Sequence, residues 1–316
     1  MESFRITGAA VAQIFVLGAL GYFLVKRNIL GDCGLESLSR LTLDVTLPLL
    51  IFSQLVSDFS FSLYPHWWIF PLLSIAVTLM GLFLGGCASA FIKGRQQKLQ
   101  FITLVAFQNS GYLPLTLIAA LLPEAQRTEV FIYLFLFLLG FNLVMFSLGV
   151  YMLASTGAQK FEAKSLLNPP VAATLISFAV VLLGLGKLIP GFVMEPVRMI
   201  GETTLPLALL VVGGNLAQIH LHKVHKAAIG LMIPLKLFIM PLVGLLLVMR
   251  FNVPPLVGLL LLIQLAVPPA TTPSVIVRHY RKNDILISQG IFFGHLASIV
   301  TLPLFLSLYF ILVMLK

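Results

Sequence analysis

The sequence predicts an all-α polytopic membrane protein with ten transmembrane helices. Three observations lead to this fold class: an apolar composition, a series of long apolar runs and an internal repeat. Of the 316 residues, 59% are hydrophobic and 10% are charged, and the mean hydropathy is +1.05. A soluble domain is about 45–50% apolar and about 25% charged. A chain of this length cannot hide so much apolar surface from water, which excludes a soluble enzyme, a secreted disulfide scaffold and a disordered regulator.

The predicted helices follow the apolar runs. A hydrocarbon core of about 30 Å requires about 20 apolar residues per helix. The first run ends at Lys26-Arg27 without a small-residue cleavage site, so we expect a retained span and not a signal peptide. Clusters of charged or turn-forming residues separate the runs. The ten predicted spans lie at residues 9–25, 39–56, 67–92, 99–122, 129–154, 169–186, 197–217, 226–249, 255–277 and 287–314.

The chain repeats itself after about 158 residues, as a search for internal periods shows. The second-span sequence Thr46-Leu-Pro-Leu49 recurs in the seventh span as Thr204-Leu-Pro-Leu207. The third, fourth and fifth spans align in order with the eighth, ninth and tenth. Five spans per copy place the second copy in the opposite orientation, and an inverted repeat is typical of secondary transporters. The predicted units are the first repeat (1–154), a short cytoplasmic linker (155–168) and the second repeat (169–316).

The distribution of Lys and Arg predicts the orientation. With both termini outside, about two thirds of the 20 Lys and Arg residues fall in inner loops, as the positive-inside rule requires. The net charge of +9 is therefore mostly a topology signal, with some attraction to anionic lipid and none implied for nucleic acid.

Two spans are predicted to be broken near the middle of the membrane. The fourth contains Gln108-Asn-Ser-Gly-Tyr-Leu-Pro114, and the ninth contains Gln264 followed by Pro268-Pro-Ala-Thr-Thr-Pro273. Prolines remove backbone donors, and interrupted membrane helices are tolerated where the backbone lines a cavity or neighbouring protein satisfies it. The equivalent positions in the two repeats favour a midplane binding site over two unrelated kinks. The half-helix that follows each break has free N–H groups that favour an anion.

These breaks supply most of the predicted substrate-binding residues. Amides and hydroxyls provide hydrogen bonds, and glycine and proline shape the backbone. Asn142, midway along the fifth span, is either a further substrate contact or a hydrogen bond between helices. The predicted set is Gln108, Asn109, Ser110, Gly111, Pro114, Asn142, Gln264, Pro269, Thr271, Thr272 and Pro273.

Three titratable residues inside the predicted spans are candidates for coupling or charge compensation. Lys236 lies near the centre of the eighth span, too deep to reach either surface, and either couples to substrate or ions or is tethered to backbone carbonyls. Asp44 either has a functional role or pairs with Arg40 one turn earlier. His295 shares a face of the tenth span with Ser298 and Thr301, and is either a packing residue or part of a proton relay.

No catalytic residue, cofactor or metal site is predicted. The sequence holds no phosphate loop, no dinucleotide-binding fingerprint and no pair of nucleophile and base. His220, His222 and His225 lie in a short loop beside lysines, without cysteine or carboxylate ligands to complete a site.

The chain resembles the auxin efflux carrier family, which includes the plant PIN exporters and bacterial carriers for malate or malonate. The resemblance rests on the break Asn109-Ser-Gly-Tyr-Leu-Pro114, on Asn168-Pro-Pro170 at the start of the sixth span, on the two Thr-Leu-Pro-Leu elements, and on Pro269–Pro273 followed by Tyr280. The family is similar to bile-acid symporters and sodium/proton antiporters, in which the broken fourth and ninth helices cross.

The resemblance implies a division of labour among the spans. Spans 3–5 and 8–10 would form a transport domain, and spans 1, 2, 6 and 7 a scaffold that dimerises with a second copy. Lys236 occupies the region where related antiporters carry a functional lysine. The short loop between the fifth and sixth spans is similar to the prokaryotic form, which implies a bacterial inner membrane. Thr271 and Thr272 stand where a second amide would be expected. This departure from the family pattern changes the groups that would contact the substrate.

The expected function is secondary transport of small mono- or dicarboxylates by elevator-type alternating access. Few acids lie within the spans, so uniport or proton coupling is favoured over a sodium cage of carboxylates. The alternative is a carboxylate-binding membrane sensor with a carrier fold.

Overall fold

The computed structural model describes residues 2–154, 166–219, 224–280 and 284–314. These residues are organised as helices and connecting loops. The helices are α1 (Glu2–Lys26), α2 (Asp32–Leu41), α3 (Leu47–Asp58), α4 (Ile69–Ala88), α5 (Arg95–Ala106), α6 (Tyr112–Leu121), α7 (Glu124–Val144), α8 (Val150–Ala154), α9 (Pro169–Leu182), α10 (Gly191–Glu202), α11 (Thr204–Ala217), α12 (Lys226–Pro234), α13 (Met240–Arg250), α14 (Pro255–Ala266), α15 (Thr272–His279) and α16 (Ile285–Tyr309).

Short π-helical turns join several of these helices into longer continuous ones. Such turns occupy Thr42–Thr46 between α2 and α3, Met145–Gly149 between α7 and α8, and Leu235–Ile239 between α12 and α13. A π turn shifts the helical face of the residues around it, and π turns are frequent at functional sites. Asp44 and Lys236 both lie in such turns.

Seven helical stretches among the described residues are long and apolar enough to cross a membrane, which makes the chain a multi-pass integral membrane protein. Three shorter apolar helices are α6, α9 and α14. Two predicted boundaries were wrong. The second span begins at Asp32, before the predicted residue 39, and the seventh begins at Gly191, before residue 197. Both extensions carry i,i+3 or i,i+4 ion pairs, Glu36 with Arg40 and Glu195 with Arg198, which extend a helix beyond its apolar part.

Glycines bring the longest helices into close contact. A Cβ added to Gly213 of α11 would lie 1.7 Å from the backbone oxygen of Gly18 in α1, and one added to Gly21 would lie 2.2 Å from the oxygen of Leu210. Helices in lipid pack tightly where small residues let their backbones approach, because lipid supplies no hydrophobic drive for association. The α1–α11 contact is therefore a rigid backbone-to-backbone interface.

The contacts between helices fall into two groups. In one set, α1 packs along α11 and α3 packs along α9. In the other, α4 packs against α5 and α7, while α13 packs against α14, and α12 and α13 pack against α16. The half-helix α6 packs against both α1 and α11, and so connects the two sets.

Candidate substrate site at the crossing breaks

Both predicted helix interruptions are present, and they meet. After α5 the chain is extended at Phe107, and after α14 it is extended at Val267. The backbone N–H of Asn109 donates to the carbonyl of Pro268 at 2.9 Å, and the N–H of Ala270 donates to the carbonyl of Phe107 at 2.9 Å. The two segments thus pair antiparallel over one short bridge between Gln108 and Pro269. Each break supplies donors to backbone carbonyls that the other break has freed.

Buried polar atoms without a hydrogen-bond partner among the described residues gather at this crossing. They are Oε1 and Nε2 of Gln108, Nδ2 of Asn109, Oγ of Ser110 and Oε1 of Gln264. A buried polar atom left without a partner costs about 1–3 kcal/mol. Few such atoms are found in native proteins, so a group of them in one place indicates a site for a polar ligand or ordered water.

Gln264 links the two repeats from the ninth-span side. Its Nε2 donates to the backbone carbonyl of Ser110 at 3.1 Å, while its Oε1 remains available. The Gln264 amide therefore holds the backbone of the fourth-span break in place, and its oxygen can still accept a hydrogen bond from a ligand.

The residues that follow each crossing begin a half-helix. Gly111 precedes α6 and provides no side-chain cap, so the N–H groups of the first turn of α6 are directed at the crossing. Thr272 begins α15, and Pro273 is buried in its first turn, while Thr271 and Thr272 are half-buried. Pro114 is buried within the first turn of α6.

Two other helices surround the crossing. Phe141 of α7 lies edge-on to Phe107, with ring centroids 6.2 Å apart, and its neighbour Asn142 is half-buried. On the other side, a Cβ added to Gly294 of α16 would lie 2.7 Å from Cδ of Pro269. Ten of the eleven predicted substrate-binding residues therefore lie in or beside the two breaks, and Asn142 follows Phe141, whose ring contacts Phe107.

Lys236 is fully buried in the π turn between α12 and α13. Its Nζ lies 3.8 Å from Sδ of Met240, and no carboxylate of the described residues forms an ion pair with it. The turn packs against α4, α5, α14 and α16, so it sits among helices that carry both breaks. A buried ammonium without a paired carboxylate is expensive, and such residues in membrane proteins mark functional sites.

Asp44 does not pair with Arg40, so that explanation of the acid was wrong. Arg40 instead pairs with Glu36 at 2.7 Å. The π turn that begins at Thr42 moves Asp44 off the regular helical face on which an i,i+4 partner of Arg40 would lie. The side chain of Asp44 is exposed on the surface of the chain, halfway along the second span.

His295 is buried in α16, one residue beyond the glycine that contacts Pro269. Its Nδ1 lies 2.8 Å from the carbonyl of Ile291, and its Nε2 has no partner among the described residues. Ser298 bonds to the carbonyl of His295 and is used locally, whereas the hydroxyl of Thr301 is also buried without a partner in the described part of the chain. The predicted polar face of the tenth span thus lies inside the protein.

Tyr112, which begins α6, was not among the predicted site residues. Its ring is buried in a small cluster of its own with Ala208, Val211 and Val212 of α11. The only sequence signal was its place in the fourth-span motif, since a lone tyrosine at the start of a helix shows nothing about which neighbour will cover it. The histidine tract, at which no metal site is predicted, lies partly outside the described residues, and within those residues no group of metal-ligating side chains occurs.

Helices that cross a membrane, interrupted in pairs around buried polar groups, define a polytopic membrane transport protein. A family model described as membrane transport protein matches residues 7–163 and 157–306. The chain therefore belongs to this family of transporters, the auxin efflux carrier family, which confirms the resemblance seen in the sequence motifs.

One curated relative is a plant protein. A segment of 130 residues, 40% of this chain, is 29% identical to the protein PIN-LIKES 6 of Arabidopsis thaliana. The segment covers 30% of that protein.

Proposed function

We propose that the protein is a secondary transporter that moves small carboxylates by elevator-type alternating access. In this proposal the seven long helices, the short helix α9 and the two interrupted pairs α5–α6 and α14–α15 make ten membrane crossings. The two repeats are inverted copies related by an approximate two-fold axis in the membrane plane. Helices α4 to α8 and α12 to α16 form the transport domain, and α1 to α3 with α9 to α11 form the scaffold.

Contacts between equivalent residues support the two-fold relation. The hydroxyl of Thr204 donates to the hydroxyl of Thr46 at 2.9 Å, across a sequence separation of 158 residues. These are the first residues of the two Thr-Leu-Pro-Leu elements. Residues that face their own counterparts lie on a two-fold axis, and the paired breaks at Gln108 and Pro269 also bring the equivalent fourth and ninth spans together. The matching contacts of α1 with α11 and of α3 with α9 follow from the same symmetry.

The observation that carries the proposed function is the cluster at the crossing of buried polar atoms that have no partner among the described residues. The side-chain donors of Gln108, Asn109 and Ser110 have no partner among the described residues, and they immediately precede the uncapped N-terminus of α6. N–H groups and helix N-termini favour negative charge. A carboxylate bound there would satisfy the donors, while Thr271, Thr272 and the acceptor of Gln264 are available to other polar atoms of the substrate.

Lys236 supplies the charge balance in this proposal. A carboxylate entering the buried site is opposed by desolvation, and a nearby ammonium reduces that cost. Lys236 has no carboxylate of the described chain to neutralise it, so the substrate would provide the missing negative charge. His295, whose Nε2 has no partner in the described part of the chain, is the candidate for proton coupling, and the proposal invokes no cofactor.

The remaining proposals concern the orientation, the membrane and the oligomeric state of the carrier. The Lys and Arg distribution favours both termini on the outer side, and the short loop between α8 and α9 favours a bacterial inner membrane. The exposed apolar residues of α1 and α10, such as Phe23 and Phe192, are surfaces for lipid and for a second copy in a homodimer.

Transport measurements on purified protein test the site. In proteoliposomes loaded for uptake of labelled mono- and dicarboxylates, we expect Asn109→Ala and Lys236→Met to abolish flux while each remains folded and monodisperse. The matched controls are Asn215→Ala, an amide near the C-terminal end of α11 that was not among the predicted site residues, and Lys187→Met, a lysine of a predicted outer loop. Both controls are expected to retain flux. Full transport by Asn109→Ala and Lys236→Met would refute the site, and carboxylate binding without flux in the wild type would favour a sensor.

A further inference from the structure

The half-helices α6 and α15 follow equivalent breaks in the two repeats, but the rest of the protein covers them differently. The half-helix α6 packs against α7 and α14 of the proposed transport domain, and also against α1 and α11 of the proposed scaffold. By contrast, α15 packs mainly against α8 and α16, which both belong to the proposed transport domain. The two repeats therefore contact the scaffold unequally through these half-helices.

The exposure of individual side chains shows the same inequality. In α6 every residue from Tyr112 to Ile118 is buried, and Leu117 is 0% exposed. Val275 lies 158 residues further along the chain, at the equivalent position of α15, and it is 54% exposed. Thr271 and Thr272 at the start of this half-helix are only half-buried. The same position is thus covered by protein in the first repeat and open in the second.

A cluster of aromatic rings joins the scaffold to the transport domain near the C-terminal ends of α3 and α9. Phe59, which follows α3, packs on Phe178 of α9 with ring centroids 5.2 Å apart, and Tyr64 stacks on Phe59 at 5.5 Å. Tyr133 of α7 lies edge-on to Tyr64 at 6.0 Å and stacks on Phe70 of α4 at 4.3 Å. These five rings are called the outer clamp, because the proposed orientation places them on the outer side of the membrane.

A buried hydrogen bond joins the two domains on the same side. The hydroxyl oxygens of Thr7 in α1 and Ser307 in α16 lie 2.6 Å apart. Thr7 is near the start of α1 and Ser307 is near the end of α16, and the proposed orientation places both of these helix ends outside. Both repeats of the transport domain are therefore held to the scaffold at the outer side, one through α7 and the other through α16.

The geometry points to a conformation in which the crossing is closed to the outer side and opens to the inner side along α15. This inference rests on the proposed transport function and its orientation. The half-helix α6 lies between the crossing and the outer end of the fourth span, whereas α15 lies between the crossing and the inner end of the ninth. Because the two breaks meet at one site, the covered half-helix marks the closed side and the uncovered one marks the open side.

The repeat also indicates what covers α15 in the opposite conformation. The counterparts of α1 and α11 in the other repeat are α9 and α3. If the two repeats exchange their packing, α15 packs on α9 and α3 as α6 packs here on α1 and α11, and α6 is uncovered. Such rocking of one inverted repeat against the other is how carriers of this kind change access. The outer clamp has to separate in that exchange.

Cysteine labelling from each side of the membrane tests the open direction without any substrate. The probes are Val275→Cys and its equivalent Leu117→Cys, each in a background with Cys33→Ser and Cys87→Ser. A charged, impermeant methanethiosulfonate reagent is added to intact cells or to inverted vesicles. We expect Val275→Cys to react in inverted vesicles, and Leu117→Cys in intact cells to react at least about tenfold more slowly, because the outward-open state is the minor one.

Two results of this labelling would overturn the inference. Reaction of Val275→Cys from the outer side would reverse the open direction, and absence of its reaction from either side would show that this face of α15 contacts lipid. The outcome is separate from that of the transport assays. If the wild type moves no carboxylate but Val275→Cys reacts from the inner side, the proposed substrate class fails and the inward opening stands.

The outer clamp is tested by Tyr64→Leu, which removes the ring contacts with Phe59 and Tyr133. An aromatic pair corresponds to about a twofold to tenfold change in an equilibrium constant. In the Tyr64→Leu background, labelling of Leu117→Cys in intact cells should therefore rise by at least about twofold. The matched control is Trp68→Leu, a 49% exposed ring four residues later, which should leave labelling unchanged. An unchanged rate for Tyr64→Leu, or an equal rise for Trp68→Leu, would overturn the role of the clamp.

Discussion

The closest approach of α1 and α11 offers a test of the packing. Gly213→Ala would place a Cβ 1.7 Å from the backbone oxygen of Gly18, so α11 and α1 would have to separate by more than about 1 Å. Overpacking of this kind costs up to about 3 kcal/mol, and replacing a helical glycine by alanine returns about 0.5–1 kcal/mol. We expect a net loss of about 2 kcal/mol and a fall in Tm of roughly 4–8 °C.

Gly18→Ala is the matched control for this prediction. It lies in the same helix contact, but a Cβ added there would meet nothing within 4 Å. The alanine should therefore add helix propensity without a clash and leave Tm unchanged or slightly higher. Both variants are measured by thermal unfolding in detergent, followed by tryptophan fluorescence. Equal stability of Gly213→Ala and Gly18→Ala would refute the backbone-to-backbone contact of α1 with α11.

Three further predictions concern the crossing, the buried lysine and the topology. Gln264→Leu removes the bond to the Ser110 carbonyl, so carboxylate flux should fall at least about tenfold while stability falls by only about 1 kcal/mol; unchanged flux would contradict its role. Lys236→Met replaces a buried charge that lacks a carboxylate partner among the described residues, so Tm should stay the same or rise. A clear fall in Tm would show that Lys236 has a structural role and not a functional one. With Cys87→Ser, the exposed Cys33 thiol should resist an impermeant maleimide in intact cells and react in inverted vesicles, and the opposite result would reverse the proposed orientation.

The two helix breaks could be predicted because their cause is local. Pro268, Pro269 and Pro273 each remove a backbone donor, and the fourth-span break carries polar residues in a run that is otherwise apolar. That the two breaks cross came from the family resemblance and not from the local pattern. The bond between Thr46 and Thr204, 158 residues apart, likewise joins equivalent positions of the sequence repeat.

The ion-pair partner of Arg40 and the neighbours of Tyr112 could not be predicted because they depend on the folded structure. Arg40 has an acid four residues before it and another four residues after it, so spacing alone does not choose between Glu36 and Asp44. The π turn that begins at Thr42 decides in favour of Glu36. For Tyr112, the ring is covered by α11, nearly 100 residues later in the chain, and no local pattern indicates that contact.

The central claim, that a carboxylate bound at the crossing is moved across the membrane, is tested most directly by charge movement. Proteoliposomes on a solid-supported membrane are exposed to a panel of mono- and dicarboxylates, with and without a pH gradient, and the currents of the wild type and Asn109→Ala are compared. The account predicts a saturable current for at least one carboxylate in the wild type and none in Asn109→Ala. Equal currents in the two proteins, or thermal stabilisation of the wild type by a carboxylate that produces no current, would contradict it.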